Sequence, residues 1–274
     1  MFLGAGPVTA QNAYITNSNN DTVSVIDTVT NKVTATIRVG GHPEGVAVTR
    51  DGSKVFVAND SGDTVSVIAT AINKVTAIVP VGRAPLGVAV SPDGSKVYVA
   101  NHFGDGDRLH DGTVSVIDTT ALGTITMEIP VRFKAIGVAI TPDGRTVYVT
   151  TGFATKDIAL GDVSVIDTAT NTVTATIPGF GDLKGVAVSP DGRKVYVANS
   201  FNDIVSVIDT TTNTVTAIVP VGRGPRGVAV TPDGRKVYVA NTVGNSVSVI
   251  DTTTNTVTTI PGFSGPFAFG IFIQ

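Results

Sequence analysis

Residues 185–199 read Gly-Val-Ala-Val-Ser-Pro-Asp-Gly-Arg-Lys-Val-Tyr-Val-Ala-Asn. Val-Ser-Val-Ile-Asp-Thr follows at 205–210, and Asn-Thr-Val-Thr-Ala-Ile-Val-Pro-Val-Gly at 213–222. Nearly the same text recurs from end to end. Tyr14, Phe56, Tyr98, Tyr148, Tyr196 and Tyr238 hold one position of the repeat, at spacings of 42, 42, 50, 48 and 42 residues. Each repeat carries four short segments of period-two alternation, so four strands: A (Gly-Val-Ala-Val), B (Val-Tyr-Val-Ala), C (Val-Ser-Val-Ile) and D (Val-Thr-Ala-x-Ile). Pro-Asp-Gly joins A to B (Pro92-Asp93-Gly94, Pro142-Asp143-Gly144, Pro190-Asp191-Gly192, Pro232-Asp233-Gly234). Proline presets the φ of that turn and glycine takes its left-handed position. Asp-Thr-x-Thr-Asn turns C into D. A four-stranded unit repeated about every 40 residues predicts the blade of a β-propeller.

The ends predict how the ring closes. The chain enters on a B strand, Ala13-Tyr14-Ile15-Thr16, and finishes on an A strand, Gly270-Ile271-Phe272-Ile273. Blade 1 then takes B, C and D from the N-terminal side and its inner strand from the other end. The count is six blades, and closure removes an unpaired edge. The small Ala of strand A (Ala47, Ala89, Ala139, Ala187, Ala229) suits the innermost strand, where blades converge. The expected organisation is a lead-in at 1–11 and one propeller domain at 12–274.

Composition excludes several classes. The chain has 42% hydrophobic and 15% charged residues and a net charge of -3, which argues against a nucleic-acid partner. It has no cysteine, so no disulfide, thiol chemistry or thiolate metal site. No apolar run approaches the ~18 residues of a membrane helix. It has no tryptophan to stack on a quinone-type redox cofactor. Gly-x-Ser-x-Gly, P-loop and His-Glu-x-x-His motifs are missing. Val8 and Ala10 would suit an export-signal cleavage site, although Met1 to Ala10 has no basic start; an extracytoplasmic location is the expectation.

The tetrads Tyr14-Ile15-Thr16-Asn17, Tyr98-Val99-Ala100-Asn101, Tyr148-Val149-Thr150-Thr151, Tyr196-Val197-Ala198-Asn199 and Tyr238-Val239-Ala240-Asn241 resemble those of the YVTN-repeat β-propellers, over essentially the whole chain. Many members have seven blades, and the count here departs from that. The resemblance implies a surface-layer or cell-surface type of protein. Similar propellers include lactonases, lyases and binding modules. It transfers no catalytic residue set, because the shared residues are turn and core residues.

Function is therefore sought where the repeat breaks. A–B and C–D hairpins share one face and are nearly identical in every blade, which reads as scaffold. B–C loops and D–A crossovers share the other face and vary, as binding loops on a rigid frame do. Two adjacent B–C loops carry insertions, His102 to Gly112 in blade 3 and Gly152 to Asp162 in blade 4, expected to form a raised wall. Blade 4 also has Thr151 where the tetrad Asn stands. The crossovers carry His42, Glu44, Arg83, Arg132, Lys134, Asp182, Lys184, Arg223 and Arg226, which without the histidine is six basic and two acidic groups. The B–C loops are acidic (Asp60, Asp63, Asp105, Asp107, Asp111, Asp157, Asp162, Asp203). A basic mouth within an acidic rim would focus its field on an anion.

The candidate ligand-binding set is thus His42, Glu44, Arg83, Arg132, Lys134, Lys184, Arg223 and Arg226, with His102 and His110 beside it. Asp105, Asp107 and Asp111 lie at short spacing in a glycine-rich loop and are the candidate ligands of a divalent metal such as calcium, though the spacing fits only part of an EF-hand loop. Neutral imidazoles of His42, His102 and His110 would suit a transition metal. The repeated Asp27, Asp118, Asp167, Asp209 and Asp251 read as turn caps, and Asn17, Asn59, Asn101, Asn199 and Asn241 as structural. Phe263, Phe267 and Phe269 are expected to plug the closure. The reading is a monomeric extracytoplasmic module binding a small anion, another protein or a cell-surface polymer. The alternative is a metal-dependent, lactonase-like hydrolase or lyase at the channel mouth.

Overall fold

The computed structural model describes residues 12–104, 111–154 and 159–266. It is a six-bladed β-propeller of antiparallel sheets. Five sheets have four strands in the order A-B-C-D, and blade 1 has B, C and D (Asn12–Asn17, Thr22–Asp27, Lys32–Arg38) among the described residues. The closing A strand expected at Gly270 to Ile273 lies outside them. Blade 2 shows the full pattern: Pro43–Val48, Lys54–Asn59, Thr64–Ala69 and Lys74–Pro80.

The alternation in strand B explains the packing. In blade 2, Val55 and Val57 point into a core shared with Tyr14, Val23, Val25 and Ile37 of blade 1. Phe56 and Ala58, on the other face, join Val97, Val99 and Ile117 of blade 3. The same exchange runs between blades 3 and 4, 4 and 5, and 5 and 6. Each inner sheet is thus apolar on both faces, and the core is a series of inter-blade seams.

Glycine, more than the neighbouring alanine, sets the spacing at the axis. A Cβ at Gly87 would stand 2.7 Å from the Ile136 carbonyl oxygen, and one at Gly137 2.7 Å from that of Lys184. Gly45 against Leu86 and Gly185 against Arg226 are closer still. The expected role of Ala47, Ala89 and Ala187 is corrected accordingly: they pack, half-buried, against the seams. The glycine contact gathers the residue preceding each of these glycines, namely Glu44, Leu86, Ile136 and Lys184, together with Arg226, whose carbonyl meets Gly185, around one end of the channel.

Turn and tetrad residues serve the fold as expected. Asp27 Oδ1 accepts from the Val29 and Thr30 backbone N–H groups and the Thr30 hydroxyl. Equivalent bonds hold Asp167, Asp209 and Asp251, and these bonds keep all four carboxyls below the usual range. Asn59 Nδ2 donates to Thr64 Oγ1 (3.1 Å) and Ser66 Oγ (3.0 Å), and Asn17 and Asn101 repeat the pattern. Thr151 is buried and its hydroxyl donates to the Asp162 carbonyl at 3.0 Å, so this substitution keeps the B–C tie by another route.

Candidate functional site

B–C loops and D–A crossovers do meet on one face, and carboxylates tie them together. The backbone N–H of His42 donates to Asp21 Oδ1 (2.8 Å), that of Ala84 to Asp63 (2.8 Å) and that of Gly224 to Asp203 (2.7 Å). Asp63 and Asp203 were expected as rim charges. They are spent instead on the crossovers, which turn through positive φ at His42 (54°) and Ala84 (52°). Asp63 and Asp203 are therefore part of the scaffold.

The two insertions are hairpin extensions at their described bases. In blade 4, Phe153 pairs with Leu160 and Ala154 with Ala159 across the B–C strands. In blade 3 the Gly104 N–H donates to the Asp111 carbonyl at 2.7 Å. Asp105, Asp107 and His110 lie outside the described residues, so the expected calcium ligands meet the structure only at Asp111.

Beside these hairpins the mouth is basic and aromatic. Strand B of blade 3 (Lys96–Phe103) ends with the Phe103 ring under Lys134 Nζ, 4.8 Å from the centroid, and Arg83 Cζ, at 5.8 Å. Cations over a ring face are attracted by its quadrupole, which steadies both side chains. No carboxylate lies within 4 Å of Lys134 or Arg83 among the described residues. His102 packs edge-on against Phe103, with centroids 4.9 Å apart. Burial first, and then the Lys134 ammonium, push His102 down to about 4; the Ala135 carbonyl opposes this and Lys184 adds to it. The imidazole is neutral at neutral pH. Lys184 is only 18% exposed and pairs with Asp182 at 2.9 Å.

The other expected site residues divide. Arg132 does not join this cluster: it lies over Phe133 (4.6 Å to the centroid), is 67% exposed and reaches the buried Asp162 at 3.4 Å. Burial raises the Asp162 carboxyl, against the pull of Arg132. Arg223 is exposed at the rim. On blade 2, His42 Nδ1 lies 3.3 Å from Glu44 Oε1 and 3.7 Å from Asp60 Oδ2. Burial raises Glu44, which is 13% exposed; Asp60 adds to this, while His42 and Arg226 oppose it. Among the residues that precede the inner-strand glycines, blade 2 contributes an acid, Glu44, and blades 5 and 6 the bases Lys184 and Arg226. No group of three or more His, Asp or Glu side chains has a metal-holding arrangement among the described residues. Phe103, the centre of the basic cluster, was not singled out from the sequence. Its signal was its place beside His102, at the point where blade 3 leaves the repeat.

A family model described as a YNCE-like beta-propeller matches residues 186–271. Among solved structures, a chain of Kuenenia stuttgartiensis hydrazine synthase is similar at 25% identity and a TM-score of 0.82, covering 94% of this chain and 85% of that one. A functionally unknown protein from Desulfotomaculum acetoxidans is similar at 20% identity and a TM-score of 0.75, covering 94% of this chain and 81% of that one. No curated protein matches. These likenesses agree with the fold above: the chain is similar to β-propellers along nearly all of its length.

Proposed function

We propose that this propeller is a binding module that takes a small anionic ligand at the B–C/D–A face, in the quadrant of blades 3 to 5. One observation carries the reading: Lys134 and Arg83 both stand over the Phe103 ring with no carboxylate within 4 Å among the described residues. Lys184 stands nearby with its charge partly met by Asp182. His102, neutral beside Lys134, packs edge-on against Phe103. The bound group is a carboxylate, phosphate or sulfate.

The ring works as a monomeric frame, with the anion carried on a small molecule or on a cell-surface polymer. The resemblance to surface-layer propellers and the small residues Val8 and Ala10 support an extracytoplasmic setting. The test is calorimetric titration with phosphate, sulfate and citrate at matched ionic strength. Arg83→Ala plus Lys134→Ala is expected to remove one saturable site. Arg235→Ala, on the opposite face, is expected to leave it intact. A ligand that binds only the folded state at a hundredfold excess over Kd would also add about 2.7 kcal/mol of stability. Equal binding by both variants would remove the mouth from the account.

A further inference from the structure

The face of A–B and C–D hairpins, read as uniform scaffold, is broken between blades 2 and 3. Between blades 3 and 4, 4 and 5, and 5 and 6, the turn proline of one blade packs on the turn glycine of the next. Pro92 Cδ would stand 3.3 Å from a Cβ on Gly144, Pro142 Cδ 3.4 Å from one on Gly192, and Pro190 Cδ 3.6 Å from one on Gly234. Blade 2 has Arg50 where that proline stands, and Gly94 of blade 3 has nothing within 4 Å.

Two further ties recur and are also missing there. Lys96 Nζ donates to the Thr168 carbonyl of blade 4 (2.8 Å), and Lys194 Nζ to that of Thr252 in blade 6 (3.3 Å). The Tyr98 and Tyr148 hydroxyls reach Asn171 and Asn213 of the following blades at 3.2 and 3.0 Å. Blade 2 has Phe56, with no hydroxyl, and the blade 3 turn from Thr119 to Thr124 has no asparagine to receive one. Lys54 makes no bond to blade 3 like those of Lys96 and Lys194 among the described residues.

Where these contacts are lost a cleft of about 360 Å³ opens, lined by Arg50, Asp51, Lys54, Pro92, Asp93 and Gly94, among others. That volume is in the range of small-molecule sites. Its lining carries two carboxylates and two cations, and the carboxylates are turned to hydrogen bonds within their own hairpins. Asp51 accepts from the Ser53 N–H and hydroxyl, and Asp93 from the Ser91 and Ser95 hydroxyls and the Ser95 N–H. Both carboxylates are occupied by their own turns. Arg50 and Lys54 have no carboxylate within 4 Å among the described residues. We propose that this cleft is a second binding site, separate from the mouth, for a small organic oxyanion held between Arg50 and Lys54. A guanidinium and an ammonium on one cleft wall suit a carboxylate or phosphate group.

The turn already has the geometry of its proline-bearing counterparts. Gly52 N donates to the Thr49 carbonyl at 2.8 Å, as Gly94 N does to Ser91. Arg50→Pro should therefore fold, fill the cleft and remove the cation together. The experiment follows backbone amides of the full chain by NMR during titration with citrate or inorganic phosphate at constant ionic strength. Saturable shifts are expected at Gly52, Asp93 and Gly94. They should weaken at least tenfold in Arg50→Pro and in Lys54→Ala, with Arg50→Pro melting no lower than wild type, and stay unchanged in Lys134→Ala. The stronger of the two probes tells carboxylate from phosphate. Absence of saturable shifts there with both probes, the same affinity in Arg50→Pro, or loss of these shifts in Lys134→Ala would each overturn the proposal.

Discussion

His102 shows how one position of the repeat is turned to a different use. It follows the tetrad Asn, where Ser18 and Thr242 donate hydroxyl hydrogen bonds to the carbonyls of Pro43 and Pro266 at 2.7 Å. His102 faces the carbonyl of Ala135 from the same place in blade 3. Its ionisation should be visible in stability. The folded value of about 4 lies below the ordinary 6.5, so the neutral form is favoured on folding. That contribution is present above about pH 6.5 and is lost as pH falls towards 4, where unfolding takes up about one proton. Urea unfolding between pH 7 and 4 should therefore give a shallower pH dependence for His102→Gln than for wild type. The same dependence in both would contradict the burial of the imidazole. Asp51 and Asp93, held at about 2 by hydrogen bonds from their own turns, act in a separate window, losing their contribution as pH drops from about 4 to about 2. The repeat made the asparagines and turn aspartates readable as structure. It could not show that Asp63 and Asp203 cap crossovers, because each bond spans 21 residues to a backbone N–H that has no signature of its own.

Strands and hairpins were the legible level, because period-two alternation and Pro-Asp-Gly turns are local signals. The contacts between blades were not. Sequence spacing pointed to Ala47 and its equivalents as the small residues of the inner strand, yet the close approach falls on the glycine two places earlier. Gly45→Ala puts a methyl group onto the Leu86 carbonyl, and backbone cannot give way as a flexible side chain can. The expected cost is about 1–3 kcal/mol, read from urea midpoints. Gly123→Ala is not a suitable control, since Gly123 takes a φ of 150°. Gly41→Ala is, because its nearest neighbour would be Ser61 Cβ at 3.6 Å, an ordinary contact. Equal midpoints for Gly45→Ala and Gly41→Ala would contradict the spacing role. The insertions illustrate the same division: their presence was plain, but their continuation as paired strands, Phe153 with Leu160, depends on a register that no turn signal marked.

At the scale of the ring, the seam between blades 6 and 1 is where closure is tested. Ile260 is 42% exposed, whereas the buried Ile37, Val79, Ile129, Ile177 and Val219 hold the same place in the other D strands. If Gly270 to Gln274 supply the inner strand of blade 1, deleting them should lower the melting temperature by several degrees. A truncated protein that melts with the full-length one would exclude that closure. The variable face was legible as the place for function, since its loops depart from the repeat. Which of its cations remain available was not, because Arg132 and Asp162 are 30 residues apart and meet only through the ring. Locating an anion on this face is the decisive step. Crystals soaked in selenate, read by the anomalous scattering of selenium, locate an oxyanion without assuming a ligand. The account predicts a site in contact with Lys134 and Arg83, beside Phe103, that disappears in Arg83→Ala plus Lys134→Ala. Selenate found only at exposed arginines such as Arg193 and Arg235, with the mouth empty, would contradict it.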